Sequence, residues 1–322
     1  MLLAVIAAFA LNATYEKYMK PDSLFFEKCI RATERWNHHL RKIQEPCYVF
    51  AGHSGVRMSI DTKTMLETHG VRAVNAGVQA GNGIRCNVQI ALPFLQKGDT
   101  LLLCCSPDNF EQTKNGMSHG GINFCRTIQG YSPYVEGIIP CSYYTIASLF
   151  RGASTNYAIH AMRILTRPNC IYRYSSPQNA QITESGRVEV FLLNEQNIVI
   201  DEDININRNH TFKPITGWES FINELKAYCI NHGVKLAMYI PRDHASTLCR
   251  RKNAFFALHF VEMGIPVVKD PYLGAWNDAT KFSDSAQHLS IEGGREFSEF
   301  LALQLKNQQY WTKEELLQII YP

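Results

Sequence analysis

The chain has 322 residues, of which 46% are hydrophobic and 19% are charged. This composition supports a large packed core and excludes wholesale disorder. The net charge of +3 is small for this length, and the basic run at 250–252 is too short for a nucleic-acid footprint. We therefore expect a globular protein without a nucleic-acid partner.

The first ten residues form a short apolar run that no basic residue precedes. A signal peptide has a positive n-region, and a bilayer span needs roughly 20 apolar residues. We interpret residues 1–20 as a signal or membrane-anchor remnant that gives membrane association; the start of a buried helix is the alternative. Ten cysteines without a C-x-x-C pair are unusual for an oxidising compartment, so a cytoplasmic location stays open beside an extracytoplasmic or membrane-associated one.

Strand and helix signals alternate in the first third of the chain. Apolar runs of strand length occupy 47–52, 73–77 and 101–105. Helical spacing of apolar residues lies between them, near 59–69 and, after a glycine-rich turn, at 84–95. A proline inside the second helical pattern predicts that this helix kinks or ends early. The order β-α-β-α-β at short spacing is typical of a parallel sheet with crossover helices.

The middle of the chain, 106–215, is rich in loop signals and is interpreted as a central insertion that shapes a substrate cleft. Within it, 188–193 and 198–200 are predicted to form a strand pair. Beyond it, strands are predicted at 234–240 and 265–268, with helical patterns before, between and after them. We expect this second part to extend the same sheet to about five strands, a typical size.

Ser54 lies where the first buried strand passes into a helix, in the sequence Gly52-His53-Ser54-Gly55. Ligands of open α/β sheets bind outside the carboxyl ends of the strands, and backbone N–H groups at a helix N-terminus can stabilise an oxyanion. An ordinary helix-capping serine is the alternative. The motif is not the G-x-S-x-G elbow of α/β hydrolases, because Val56 occupies the last glycine position.

Asp284 and His288 lie in a loop just before the last predicted helix. A serine hydroxyl is a poor nucleophile until a base takes its proton; a histidine can do so, and a carboxylate can orient the imidazole. If both residues face Ser54, the three form a nucleophilic triad. Taken singly, His288 fits a solvated loop histidine and Asp284 a turn residue.

Two weaker features have competing interpretations. Arg57, one helical turn after Ser54, can bind an anionic substrate group or form a surface ion pair. The glycines at 77–83 also resemble the nucleotide loop of short-chain dehydrogenases, which would make the chain a nucleotide-dependent oxidoreductase. This alternative is disfavoured, because the loop follows the second strand and no tyrosine has a lysine four residues later.

Four segments occur in the order found in one known superfamily. They are Gly52-His53-Ser54; the N-x-G segment at 74–77; 95–103 followed by Ser106-Pro107; and 282–293, which contains Asp284 and His288. With these segments the chain resembles the SGNH hydrolases, and in particular a membrane-associated bacterial branch that modifies envelope polysaccharides. The resemblance covers roughly 47–110 and 216–306 and leaves the middle unmatched.

The resemblance implies one flavodoxin-like domain over 21–322, with three α/β/α layers. It implies an O-acyl (acetyl) esterase or acyltransferase of the cell envelope that acts on an acylated carbohydrate or polymer, without metal or cofactor. Ser54 would be the nucleophile, and the Ser54 amide and Gly77 would bind the oxyanion. The oligomeric state does not follow from the sequence.

Two departures from the family pattern favour an alternative function. His53 stands where the family usually has an acidic residue, and no Gly-x-Asn block is evident; Asn109 is the nearest candidate for a third oxyanion donor. Losing one such donor typically costs about 100- to 1,000-fold in rate. A weak or inactive relative that serves in envelope polysaccharide assembly or binding is therefore the second hypothesis.

Overall fold

A computed structural model describes residues 21–107, 109, 180–190, 218–244, 247–283 and 286–322. The strands are β1 (Tyr48–Ala51), β2 (Ala73–Asn75), β3 (Thr100–Cys104), β4 (Ala180–Ile182), β5 (Val188–Val190), β6 (Lys235–Tyr239), β7 (Asp243–His244) and β8 (Ala275–Trp276). The helices are α1 (Pro21–Leu40), α2 (Ser54–Ser59), α3 (Thr62–His69), α4 (Ile84–Ala91), α5 (Trp218–Asn231), α6 (Thr247–Glu262), α7 (Ile291–Lys306) and α8 (Lys313–Ile320).

Four strands form the central sheet in the order β2-β1-β3-β6, and every neighbouring pair is parallel. The predicted parallel sheet is therefore confirmed, with a strand count slightly below the expected five. The segment predicted as the fifth strand makes a single parallel bridge, Met238 to Val267. Pro266 precedes that bridge and has no N–H to donate, which limits the ladder.

Helices cover both faces of the sheet, because alternate strand residues point to opposite sides. On one face Val49 and Leu101 pack with α1, α4, α5 and α6. On the other face Phe50 and Leu102 pack with α2, α3 and α7. The result is the predicted three-layer α/β/α arrangement. All four strands run the same way, so their carboxyl ends share one edge of the sheet.

The predicted helix near 59–69 corresponds to α3, which begins three residues later, at Thr62; the short helix α2 precedes it and ends at Ser59. Between the two, Ile60 is extended, and the Asp61 carboxylate accepts the backbone N–H groups of Lys63 and Thr64 as the N-terminal cap of α3. The expected early end of the next helix is confirmed, because α4 stops at Ala91 and a 3-10 turn containing Pro93 follows.

Residues 180–190, within the predicted insertion, form a hairpin in which β5 pairs antiparallel with β4 and Val188 lies opposite Ile182. The segment 198–200, predicted to pair with 188–193, lies outside the described residues, so that pairing stays a prediction. Within the hairpin turn, Gly186 adopts φ +85°, a conformation that favours glycine. The pattern of apolar residues gave no indication of the partner strand, because three-residue strands carry little periodicity.

None of the helices among the described residues is long and apolar enough to cross a bilayer. The predicted signal or anchor remnant, 1–20, lies outside the described residues.

Candidate active site at the carboxyl edge of the sheet

The turn between β1 and α2 places Ser54 at the carboxyl edge of the sheet. Gly52 follows the strand, and a Cβ there would lie 2.6 Å from the Cys104 carbonyl oxygen of the neighbouring strand. Glycine is therefore needed for the chain to turn so tightly beside β3. Ser54 is the first residue of α2 and is half-buried. Its amide donates to no atom of the described residues, as is usual in the first turn of a helix.

In the SGNH pattern an acidic residue usually precedes the serine, and in this chain His53 occupies that position. Its Nδ1 accepts the Gly55 backbone N–H at 3.0 Å, so the imidazole is the N-terminal cap of α2. An acidic side chain would cap the helix in the same way. Because Nδ1 is the acceptor, the proton of the neutral ring sits on Nε2.

His288 is brought to Ser54 by a compact loop. The Ser283 amide and hydroxyl both donate to the His288 carbonyl oxygen, at 2.7 and 3.1 Å. The same loop is tied to β7, since the His244 amide donates to Ala286 O at 2.7 Å. Gly55 lets the loop approach closely, because a Cβ there would lie 2.7 Å from the Gln287 carbonyl oxygen.

The result is a contact between two distant parts of the chain. His288 Nε2 lies 3.0 Å from Ser54 Oγ, across a sequence separation of 234 residues. His288 is 8% exposed, so the imidazole is largely withdrawn from water. The predicted meeting of the serine and the histidine is thus observed. The geometry suits proton transfer from the hydroxyl to the imidazole.

Asp284, the predicted orienting carboxylate, lies outside the described residues. Its role stays a prediction.

Gly77 does not fill the role predicted for it. Its amide donates to Asn75 Oδ1 at 3.0 Å, and its carbonyl oxygen accepts Arg57 Nε at 2.5 Å. The next amide, of Val78, donates to Gly52 O at 3.0 Å. Since its N–H is already used inside the protein, Gly77 is not an available oxyanion donor in this structure. Its glycine identity has another cause, because a Cβ would lie 2.7 Å from the Arg57 amide nitrogen.

Arg57 is likewise a structural residue and does not face a substrate. The side chain is 0% exposed, and its Nη1 donates to Thr33 Oγ1 at 2.8 Å and to Gly186 O at 2.9 Å. Burial lowers the pKa of this guanidinium to about 10. Both interpretations offered by the sequence, an anion-binding group and a surface ion pair, are therefore wrong: Arg57 ties α2 to the 75–77 turn, to α1 and to the hairpin.

Asn109 lies at the carboxyl end of β3, on the same edge of the sheet. Its Oδ1 accepts the Ser106 amide at 2.8 Å and the Ser106 hydroxyl at 3.3 Å. The side chain is therefore anchored by its oxygen. Its contribution to an oxyanion site stays a prediction.

Asn75 is a structural residue whose role the sequence did not reveal. Its Nδ2 donates to the carbonyl oxygens of Val56 and Ile60, each at 2.9 Å, while its Oδ1 holds the Gly77 amide. One buried amide thus joins the helix that bears Ser54 to the turn after β2. The N-x-G motif drew attention to this segment, but a motif does not say which groups the asparagine satisfies.

Seven cysteines fall in the described part of the chain, and all are free thiols. Burial raises the pKa of Cys29 to about 11 and holds the pKa values of Cys104 and Cys105 well above the ordinary range. Over the same residues no group of three His, Cys, Asp or Glu side chains is placed to hold a metal ion.

The fold and the site together define an α/β/α protein with a serine–histidine pair at the carboxyl edge of a parallel sheet. No protein-family model matches the chain, and no curated protein matches it. The resemblance to SGNH hydrolases therefore rests on the motifs alone and stays a prediction.

Proposed function

We propose that the chain is a serine-dependent O-acyl (acetyl) esterase or acyltransferase that works through an acyl-enzyme at Ser54. The observation that supports this most directly is the 3.0 Å contact between His288 Nε2 and Ser54 Oγ. A hydroxyl is activated when a base lies within hydrogen-bond reach of its proton. The alternative, a serine that only begins the helix, does not explain why a buried imidazole from a loop 234 residues away lies within hydrogen-bond distance of its hydroxyl.

The chemistry follows from this pair. Ser54 Oγ attacks the acyl carbonyl carbon while its proton passes to His288 Nε2, and the carbonyl oxygen becomes an oxyanion. The Ser54 amide, at the start of α2, is placed to donate to that oxygen. The carbon–oxygen bond of the leaving alcohol then breaks, and His288 returns the proton to the alcohol. Water or an acceptor hydroxyl attacks the acyl-enzyme by the same steps.

The substrate class comes from the family resemblance of the motifs. We propose an acylated carbohydrate or envelope polymer, with Asp284 holding the imidazole from its far side. A polymer requires a nucleophile that is open on one side, which agrees with the half-buried state of Ser54. No cofactor or metal is needed for acyl transfer by this route.

The test uses the full chain with p-nitrophenyl acetate as substrate and a fluorophosphonate as covalent probe. We expect the wild type to turn over the ester and to be labelled at Ser54. Ser54→Ala should lose both activities while keeping its thermal unfolding midpoint. Ser220→Ala, on α5 and away from the site, is the matched control and should behave as wild type. Turnover that persists in Ser54→Ala would remove this serine from the mechanism.

One observation favours a second candidate, a non-enzymatic protein of envelope polysaccharide assembly or binding. The Gly77 amide is engaged by Asn75, so one predicted oxyanion donor is missing. This candidate predicts that acetylated polysaccharide binds equally to the wild type and to Ser54→Ala, and that the fluorophosphonate labels neither.

A further inference from the structure

The helix that begins with Ser54 is short and has a histidine side chain as its cap. Helix α2 has six residues, and the Gly55 amide donates to Nδ1 of His53 at 3.0 Å. The first amides of a helix have no partner within the helix, so a capping acceptor fixes the geometry of the first turn. Ser54 lies in that turn, and its amide is the proposed oxyanion donor. The cap therefore acts on the residue that reacts.

The His53 ring also borders the histidine loop. The side chain is 3% exposed, and a Cβ on Gly55 would lie 2.7 Å both from Cε1 of His53 and from the carbonyl oxygen of Gln287. The Nδ1–Cε1 edge of the imidazole thus faces the start of α2 and the backbone next to His288. A change at this ring therefore acts beside the nucleophile and beside the loop that carries its base.

This cap exists only while the imidazole is neutral. A neutral imidazole has one acceptor nitrogen, whereas the imidazolium ion has two donors and no acceptor. A proton on Nδ1 of His53 would face the Gly55 N–H, so the hydrogen bond would be lost and two donors would oppose each other. The positive charge would also lie at the start of a helix, where a negative charge is favoured. An acidic cap, usual here in the SGNH pattern, stays an acceptor down to about pH 4.

The titratable groups on the described elements around His53 are positive or neutral. Helix α2 contributes Arg57, whose amide donates to the His53 carbonyl oxygen at 3.2 Å and whose buried guanidinium has a pKa of about 10. The histidine loop contributes His288, and the end of β3 contributes Cys104, a thiol whose pKa burial holds well above the ordinary range. The turn after β2 contributes none, and Asp284 lies outside the described residues. A positive neighbour disfavours a second positive charge, so these groups oppose protonation of the cap.

We propose that His53 is a positioning residue that keeps Ser54 reactive only while its own imidazole is neutral, so that acid inactivates the nucleophile independently of His288. The proposal rests on the acyl-transfer function proposed above. Proton uptake at His53 releases the Gly55 amide, loosens the first turn of α2 and displaces the amide and hydroxyl of Ser54. Proton uptake at His288 removes the base. Two separate protons therefore stop turnover, whereas a chain with an acidic cap would respond to one over the same range of pH.

The test follows the logarithm of kcat/KM for p-nitrophenyl acetate in the full chain from about pH 8 to about pH 5. For the wild type the slope on the acid side should steepen from one toward two as the second proton binds. His53→Ala, which lacks a cap, should be roughly 10- to 100-fold slower than the wild type even at the upper end of this range. His53→Asn, which caps without titrating, should restore most of that loss and show a slope of one. His232→Asn, at an exposed histidine, is the matched control and should keep the wild-type profile.

Thermal unfolding supplies a readout that needs no activity. A histidine in the unfolded chain takes up its proton near about pH 6.5, and the native cap excludes that proton at His53. The unfolded state then binds more protons, so stability falls as the pH drops below that value. The unfolding midpoint should therefore fall more in the wild type than in His53→Asn between about pH 7 and about pH 5.

A slope that stays at one in the wild type, or midpoints of the wild type and His53→Asn that fall in parallel, would overturn the role of His53. Ester turnover and labelling of Ser54 would then still support the proposed function. If the wild type neither turns over ester nor reacts with the fluorophosphonate, the proposed function falls, and the midpoints alone decide whether His53 is a proton-sensitive cap.

Discussion

The serine turn and the histidine loop are held in different ways. The serine turn, residues 52–60, is fixed by buried side chains: Asn75 and Arg57 bind backbone carbonyl oxygens of the turn after β2 and of the helix itself. The described residues of the histidine loop, 283 and 286–290, are held by backbone hydrogen bonds, by the buried Leu289, by Arg187 and by contact with the serine turn at Gly55. Both halves of the site are thus anchored in the core, and the histidine loop is docked against the serine turn at Gly55.

This difference indicates which distance is easy to change. The serine turn cannot move without leaving buried carbonyl oxygens unpartnered, which costs about 1 to 3 kcal/mol for each group. The histidine loop meets the serine turn at Gly55, where an added Cβ would lie 2.7 Å from the Gln287 carbonyl oxygen. We therefore expect the Ser54–His288 distance to respond mainly to changes that alter the docking of the loop.

The largest effect should come from removing the docked base itself. His288→Ala leaves the serine turn intact, so the fold should be retained. Without a base the hydroxyl keeps its proton, and kcat for p-nitrophenyl acetate should fall on the order of 10⁴- to 10⁶-fold. His232→Ala, at an exposed histidine after α5, is the control and should retain full activity. Near-normal turnover by His288→Ala would show that the 3.0 Å contact has no catalytic role.

Arg187 touches both halves of the site. It donates to Met58 O on the serine side and to the carbonyl oxygens of Ser290 and Ile291 on the histidine side, and it pairs with Asp61 at 3.4 Å. Its guanidinium is buried, and burial lowers its pKa.

We expect Arg187→Met to lower the free energy of unfolding by about 3 kcal/mol, at the low end for a broken buried ion pair. We expect the low end of this range of free energies because the carboxylate left behind, Asp61, still accepts hydrogen bonds from the first turn of α3. Urea unfolding measures the loss. Arg31→Met is the control: that arginine is exposed, pairs with Glu27, and should contribute less than about 0.5 kcal/mol. Equal effects of the two substitutions would contradict a linking role for Arg187.

The smallest expected effect comes from Gly55→Ala, a substitution at the contact between the serine turn and the histidine loop. The added methyl group would lie 2.7 Å from the Gln287 carbonyl oxygen and should push the histidine loop away. It would also lie 2.7 Å from Cε1 of His53, the cap of α2, so we expect strain at the cap that offsets the preference of a helix for alanine over glycine, about 1 kcal/mol. A displacement of about 1 Å can cost 100-fold in rate, and we expect a fall in kcat of that order.

Thermal unfolding and activity should be measured together on Gly55→Ala. A fall in kcat per folded molecule is the outcome of a docked loop, and a lowered unfolding midpoint reports the strain at the His53 cap. If kcat per folded molecule is preserved, the loop is not displaced by the methyl group and the comparison fails.

Much of the sheet could be predicted from the sequence, because its buried strands are continuous apolar runs. The strands at 48–51, 73–75, 100–104 and 235–239 all fall within or beside predicted runs. The strand β4 of the hairpin was not predicted, because three residues carry little periodicity, and the predicted partner 198–200 lies outside the described residues. Helix α8 was not predicted either, although Thr312 and Glu315 form a capping box at its start.

Some residues of the site were predicted correctly from the sequence and others were not. Ser54 and His288 were identified from chemistry and order along the chain, and the structure brings them together. Gly77 and Arg57 were misassigned, because a sequence shows that a group is present but not that the Gly77 N–H is already bonded or that the Arg57 guanidinium is fully buried, with Nε and Nη1 bonded inside the protein and Nη2 unpartnered among the described residues.

The sequence by itself determined the parallel α/β layers and the kinds of groups at the ends of the strands, because periodicity and residue chemistry are local properties. The tertiary structure decided which of those groups come into contact with each other and which are hydrogen-bonded to the protein's own backbone. That decision depends on distances of about 3 Å between segments more than 200 residues apart, which local patterns do not encode.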